Sequence, residues 1–194
     1  MKKSFKQKNK GFTRTPKFGV TPKGGGFTLV ETLVSVSVFT VSILGLLVVL
    51  SQGIANTGYA KKKLTASYLA QEGIEYIRNM RDTYVLYTGV PGNSWSGFKS
   101  KLASCNPSPR NGCGFDTVFP HNVFVCNNPN DCKLYVNNGG YDTNGSGTDS
   151  GFVREIWMTP VGSNEVKIFS TVLWTQGSGS YSITFSESLF NWIE

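Results

Sequence analysis

The longest apolar run in the chain extends from Phe27 to Leu50 and contains a single ionisable side chain, Glu31. A helix of this length rises by about 36 Å, whereas the hydrocarbon core of a bilayer is about 30 Å thick. The run therefore predicts a membrane-spanning helix. A carboxylate inside such a span costs roughly 2.5–3.5 kcal/mol on insertion scales, and acids at such positions are generally functional. We therefore expect a cation to neutralise Glu31.

The helical pattern continues beyond the apolar run, because small and apolar side chains recur at spacings of three and four residues. This stripe consists of Ala66, Ala70, Gly73, Ile77, Met80 and Tyr84. Charged side chains are expected on the opposite face, at Lys62, Lys63, Glu72, Glu75 and Arg78. No proline interrupts the segment, so a single helix can continue. The sequence predicts a helix from about Phe27 to about Tyr84, with an apolar half over residues 27–50 and an amphipathic half over residues 51–84.

The C-terminal part of the chain, residues 152–194, has the period-two pattern of β-strands. Three runs rich in β-branched and aromatic residues are separated by Gly, Ser and Asn: Phe152 to Thr159, Val166 to Trp174 and Tyr181 to Phe185. Such runs predict an antiparallel sheet whose apolar face covers the helix stripe. The expected fold class is α+β, a long N-terminal helix packed on a C-terminal antiparallel β-sheet.

Residues 85–151 differ in composition from the predicted helix and from the predicted strands. Gly, Asn, Pro, Ser and Asp dominate, and only short β-prone runs interrupt them. A loop-rich region of this length is uncommon unless it is functional or cross-linked. Four cysteines can supply the cross-links, and the spacing favours the sequential pairs Cys105–Cys113 and Cys126–Cys132 over the other two connectivities. A zinc site is the alternative. The chain contains no C-x-x-C pair and a single histidine, which disfavours zinc.

A weak calcium motif lies in the same region. Oxygen-bearing side chains precede a glycine as in the opening of a calcium loop, at Asp142, Asn144, Ser146 and Asp149. The glutamate expected at the twelfth position of such a loop is replaced by Val153, and a turn-rich loop explains the composition equally well. We expect no cofactor and no metal, with calcium kept as the alternative at these four residues.

The excess of positive charge belongs to residues 1–26. Eight of the 19 Lys and Arg residues lie there without any acid, so the remainder of the chain is nearly neutral. Nucleic-acid binding by the body therefore has no electrostatic basis, because phosphate contacts need clustered cations. Basic residues before an apolar span remain cytoplasmic. The sequence predicts a cytosolic leader and a single-pass cytoplasmic membrane protein whose C-terminal body lies outside the cytoplasm.

The stretch Gly26-Phe27-Thr28-Leu29-Val30-Glu31 resembles the cleavage signature of type IV prepilins: a small residue, an aromatic residue and an acid four positions further on. The resemblance covers the leader and roughly the first third of the mature chain. It implies that a membrane prepilin peptidase cleaves between Gly26 and Phe27 and methylates the new N-terminal Phe27. It also implies a pilin-like fold, in which Glu31 pairs with the Phe27 amine of a neighbouring subunit.

A second, weaker resemblance concerns Ala70-Gln71-Glu72-Gly73-Ile74-Glu75 with Arg78 and Arg81, which is similar to the equivalent helix of minor pilins of the pilus-modification type. The expected function is a structural, minor subunit of a type IV pilus, with other pilin subunits and inner-membrane lipid as partners and an extracellular filament as its destination. The alternative is a pseudopilin of a type II secretion or DNA-uptake system. A membrane enzyme is not expected, since the sequence contains no G-x-S-x-G, P-loop or HExxH motif.

Overall fold

The computed structural model describes residues 26–87, 89–92, 94–105, 112–116, 122–128 and 130–192. The predicted leader therefore lies outside the described residues, except for Gly26. The helices and strands of the described residues are α1 (Leu29–Leu86), α2 (Trp95–Lys101), β1 (Cys113–Phe115), β2 (Val123–Val125), β3 (Lys133–Asn137), β4 (Gly140–Asp142), β5 (Thr148–Pro160), β6 (Glu165–Gln176) and β7 (Gly179–Phe190). The chain divides into two compact units, the first ending at Val49 and the second beginning at Leu50.

The first unit is the apolar half of α1. The helix begins at Leu29 and ends at Leu86, within two residues of the predicted bounds. All side chains from Gly26 to Leu50 are exposed, although most of them are apolar. By its length and composition, α1 could cross a membrane.

The second unit contains one antiparallel sheet arranged around β5. On one side β5 pairs with β6, which in turn pairs with β7. On its other side β5 pairs with β1 and with β3, and these carry the short strands β2 and β4. The long strands β5, β6 and β7 include the three runs predicted from alternation, each extended by a few residues.

The amphipathic half of α1 packs on this sheet, which confirms the predicted α+β fold class. The buried residues of α1 are Ala66, Leu69, Ala70, Gly73, Ile74, Ile77, Arg81 and Val85. From β6, the predicted apolar row is buried: Val166, Ile168, Val172 and Trp174. Met80 and Tyr84, predicted in the helix stripe, are half-buried at its flank. The helix thus buries a wider face than the predicted stripe.

The region 85–151 is more ordered than predicted, because it contributes α2, the four strands β1 to β4 and the start of β5. Ser94 caps α2 by accepting a hydrogen bond from Gly97 N, and Trp95 and Phe98 are buried. In the structure, strands of the sheet therefore also lie before residue 152, where the sequence pattern predicts the sheet to begin. The strands β2 and β3 coincide with short β-prone runs of the sequence. In contrast, α2, β1 and β4 comprise too few residues for their periodicity to be recognised.

Candidate functional site

The N-terminal stretch of the described chain holds the predicted processing residues at the start of α1. Gly26 and Phe27 precede the helix, and Phe27 is 77% exposed. A Cβ atom added at Gly26 would meet no atom within 4 Å, so packing within the chain does not require glycine there. The peptide bond between the two residues is thus not covered by the described part of the chain.

Thr28 caps the helix, a role that the sequence analysis missed. Its Oγ1 accepts a hydrogen bond from the backbone N–H of Glu31 at 3.2 Å. The T-x-x-E spacing of Thr28 and Glu31 is the sequence signature of a capping box and could have revealed the cap. Glu31 therefore lies in the first turn, where the helix dipole favours a negative charge.

Glu31 differs from four hydroxyl side chains of the apolar half, because these have hydrogen-bond partners within the helix. The hydroxyls of Thr32, Ser37, Thr40 and Ser42 donate hydrogen bonds to carbonyl oxygens three or four residues earlier in the helix. Such bonds satisfy a hydroxyl in an apolar environment. No cation pairs with the Glu31 carboxylate among the residues that the structure describes. Glu31 is thus an acid on an apolar surface that has no counterion among the described residues.

The second predicted motif, residues 70–81 of α1, lies where the helix meets the sheet. Gly73 faces β6 so closely that an added Cβ atom would lie 3.2 Å from Ser170 Cβ and 3.3 Å from Ile156 Cδ1. The glycine therefore permits the close approach of helix and sheet. Ala70, one turn earlier, is fully buried in the same contact.

Arg154 of β5 crosses this contact from the sheet side. Its Nη1 donates hydrogen bonds to Glu72 Oε2 at 2.6 Å and to Leu69 O at 3.3 Å. Its guanidinium lies 3.9 Å from the centre of the Phe115 ring, which stacks on Tyr76 at 3.9 Å. Burial lowers the pKa of Arg154 below its ordinary value, and the neighbouring Glu72 opposes this shift. Glu72, predicted on the helix face away from the sheet, instead joins the two layers.

Two further arginines of the motif connect α1 to β7. Arg78 donates to both oxygens of Glu187, from Nε at 3.2 Å and from Nη2 at 2.5 Å, and also pairs with Glu75. The hydrogen bond to Glu187 raises the pKa of Arg78. Arg81 donates to Phe190 O at 2.9 Å, and its guanidinium lies 5.1 Å from the centre of the Trp192 ring. The motif thus serves to fix the helix on the sheet.

The structure contains two disulfides, Cys105–Cys113 and Cys126–Cys132, which are the sequential pairs favoured by the spacing. All four cysteines are buried. The first disulfide links the segment after α2 to β1, and the second closes a short loop between β2 and β3. The predicted zinc alternative is therefore not needed to explain these cysteines.

The four calcium candidates have partners within the protein. Asp142 Oδ1 accepts from Asn144 N, and Asn144 Oδ1 accepts from Ser146 N and from Ser146 Oγ. Asp149 accepts from Gly151 N and pairs with Lys133 at 2.8 Å. Within the described ranges, no three His, Cys, Asp or Glu side chains lie close enough to hold a metal ion. The segment is a chain of side-chain-capped turns, which is the explanation left open by its composition.

Comparisons of the chain with protein-family models, with curated proteins and with solved structures find no match.

Proposed function

We propose that the chain is a type IV prepilin whose mature form, beginning at Phe27, is a minor structural subunit of a type IV pilus. One observation carries the proposal: Gly26, Phe27 and Glu31 stand in the register of the prepilin signature directly before an apolar helix. In this proposal a prepilin peptidase removes the leader and methylates Phe27. The mature helix then moves from the inner membrane into the filament.

Exposure of the residues around the bond supports processing. A peptidase must hold the chain on both sides of the scissile bond, and both Gly26 and Phe27 are exposed in the described part of the chain. Because a Cβ atom added at Gly26 would meet no described atom within 4 Å, we attribute a requirement for glycine at this position to the peptidase rather than to the fold.

The charge of Glu31, which has no counterion among the described residues, supports assembly. Cleavage before Phe27 would create an α-amino group one helical turn from Glu31, and the same amine would exist on every subunit. A carboxylate and an ammonium attract each other far more strongly in apolar surroundings than in water. Pairing between subunits would therefore satisfy both charges, and it would also bury apolar side chains that the single chain leaves exposed.

The contacts of charged side chains in the second unit support a structural role, because these side chains join the helix to the sheet. Glu72, Arg78 and Arg81 of the motif that resembles minor pilins hold the helix on the sheet. Such a body can present its outer surface to solvent or to partners while α1 enters the filament.

The N-terminal mass of protein extracted from the membrane tests the proposal. We expect a chain that begins at Phe27 and carries one added methyl group. A Gly26→Val variant should retain its leader, whereas the neighbouring Gly24→Val variant should be processed. A wild-type chain with an intact Met1, or one that begins at another residue, contradicts the proposal.

Immunogold labelling then separates the pilus from the pseudopilus. Gold label along extended surface filaments supports the assignment as a pilus subunit. A processed chain that is absent from surface filaments, with loss of secretion or DNA uptake on deletion, assigns a pseudopilin instead.

A further inference from the structure

The strand β7 forms an unprotected edge of the sheet. Within the described part of the chain it pairs with β6 alone, in unbroken register from Gly179 to Phe190. Alternate backbone N–H and C=O groups of β7 therefore point away from β6. Natural edges are usually blunted by Lys, Pro or a bulge, because such a row of groups can pair with another strand. None of these features occurs in β7.

A groove of about 490 Å³ lies beside this edge, between β7 and α1. Its walls include Gln71, Ile74, Glu75 and Arg78 of α1, and Phe185 and Glu187 of β7. Ser186 also lines the groove, although the side chains of Ser186 and Phe185 lie on opposite faces of the sheet. The groove is thus open to the backbone of β7, so an added strand could pair with the edge and place alternate side chains in the groove.

The groove combines an apolar floor with an acidic rim. Ile74 is buried and Phe185 is half-buried at its base. At the rim, the side chains of Glu72 and Glu75 are 44% and 65% exposed. Among the described lining residues Arg78 is the one cation and pairs with Glu75 and Glu187, while Glu72 pairs with Arg154. Three carboxylates therefore face two guanidinium groups, which leaves an excess of one negative charge at the groove. An apolar side chain flanked by a basic side chain is therefore the complementary ligand.

The β7 strand of a second copy is a poor ligand for this site in either direction. Antiparallel pairing of two β7 strands would offer no basic side chain, because β7 contains neither Lys nor Arg and its Glu187 would add a carboxylate to the groove. Parallel pairing about a two-fold axis exchanges the sheet faces, so the serine row of β7 would face the apolar floor.

We propose that the edge of β7 and the adjoining groove bind an extended segment of a different polypeptide by strand addition. The segment alternates apolar and polar residues and carries Lys or Arg beside the apolar residue that enters the groove. Backbone hydrogen bonds to β7 supply affinity, and the groove selects the side chains. The site lies in the second unit and does not depend on the filament assignment.

Synthetic peptides test strand addition on the full-length protein in detergent micelles. The probe is a blocked nine-residue peptide in which valine alternates with lysine and threonine. Two further versions carry N-methyl groups, one on the odd-numbered and one on the even-numbered backbone amides. Since only alternate amides face the edge, we expect one N-methylated version to lose more than about tenfold in affinity because several hydrogen bonds are lost. The other version should bind within about threefold of the parent, because its N-methyl groups point away from the edge.

Hydrogen exchange and matched charge variants locate the site. Bound peptide should slow amide exchange in β7 and leave β3 and β4 unchanged. Glu75→Gln should weaken the lysine peptide about two- to fivefold, as expected for an exposed ion pair. Asp131→Asn removes an exposed acid between β2 and β3, outside the groove lining, and should leave the affinity for the peptide unchanged. The proposal is overturned if the parent peptide does not bind, if both N-methylated versions bind equally, or if protection appears outside β7.

Discussion

Arg154 and Glu72 form an ion pair at 2.6 Å between sheet and helix, in which the arginine side chain is 2% exposed and the glutamate is 44% exposed. Removing the acid by Glu72→Ala leaves a buried cation without its main counterion. We expect the free energy of unfolding to fall by about 1–3 kcal/mol, below the cost of breaking a fully buried pair because Glu72 is partly solvated. Urea unfolding of the full-length chain in detergent, followed by tryptophan fluorescence without reductant, measures this loss.

The companion variant Arg154→Met removes the buried charge and keeps most of the side-chain volume. Its loss should be smaller than that of Glu72→Ala, since an apolar replacement leaves no unpaired charge in the interior. A larger loss for Arg154→Met would show that the stacking of Arg154 on Phe115 outweighs the ion pair.

Gly73→Ala places a methyl group against Ser170 and Ile156. We expect a loss of about 1–3 kcal/mol in the free energy of unfolding, because overpacking a close helix–sheet contact forces the layers apart. Gly53→Ala is the matched control on the same helix, where an added Cβ meets no atom within 4 Å. That control should raise helix stability by up to about 1 kcal/mol. Equal effects of the two substitutions would argue against the close contact at Gly73.

The two disulfides predict a simple alkylation pattern. Denatured chain treated with iodoacetamide should gain no mass without reductant and four carbamidomethyl groups after reduction, because the four cysteines form two disulfides. Proteolysis of the oxidised chain should release linked peptides that contain Cys105 with Cys113, and Cys126 with Cys132. Any other pair of linked peptides would contradict the connectivity.

The ion pair of half-buried Lys133 with exposed Asp149 predicts a pH dependence with a definite sign. The hydrogen bonds from Lys133 and from Gly151 N lower the pKa of Asp149 below its ordinary 3.8, and the bond to Asp149 raises the pKa of Lys133 above its ordinary 10.5. The stabilisation by the pair is therefore complete between these ordinary values. It is lost as pH falls through the lowered pKa of Asp149 or rises through the raised pKa of Lys133.

Carboxyl NMR titration of Asp149 checks this prediction. Its midpoint should lie below 3.8 in the wild type and move upward in Lys133→Met. The shift should be partial, because Gly151 N still donates to the carboxylate. A midpoint that Lys133→Met does not change would show that the ion pair has no effect in solution.

Glu31→Ala separates processing from assembly. The variant keeps Gly26, Phe27 and the Thr28 cap, so we expect normal cleavage, measured by N-terminal mass. Filaments sheared from cells should nevertheless lack the variant, because its helix no longer offers a carboxylate to a neighbouring amine. Thr32→Ala is the control in the same turn region, since its hydroxyl bonds to its own helix. Normal incorporation of Glu31→Ala would refute the pairing role.

The long elements of the fold were predictable because their patterns repeat many times. Val166, Ile168, Val172 and Trp174 alternate through β6, and all four are buried as expected. The apolar half of α1 is evident from composition alone. In contrast, β1 comprises three residues that depend on their pairing with β2 and β5, and nothing local in Cys-Gly-Phe specifies that pairing.

The contacts of the charged residues of the helix are harder to predict from the sequence. Glu72 and Arg78 looked like a solvated face, since helical periodicity places charges opposite an apolar stripe. Their partners, Arg154 and Glu187, lie more than 80 positions later in the sequence, and only the sheet brings them to the helix flank. Arg81 was assigned to a motif, but its bond to the Phe190 carbonyl depends on where β7 ends. Contacts of this kind require the topology before they can be inferred.

The two disulfides allow two short loops to change in sequence independently of the long strands of the sheet. Cys105–Cys113 and Cys126–Cys132 each close a loop with a sequence separation of eight or six residues. Because each loop is anchored at its base, substitutions or insertions within it need not disturb the register of β5, β6 and β7. The sequence of these two loops can therefore vary while the helix–sheet scaffold stays the same.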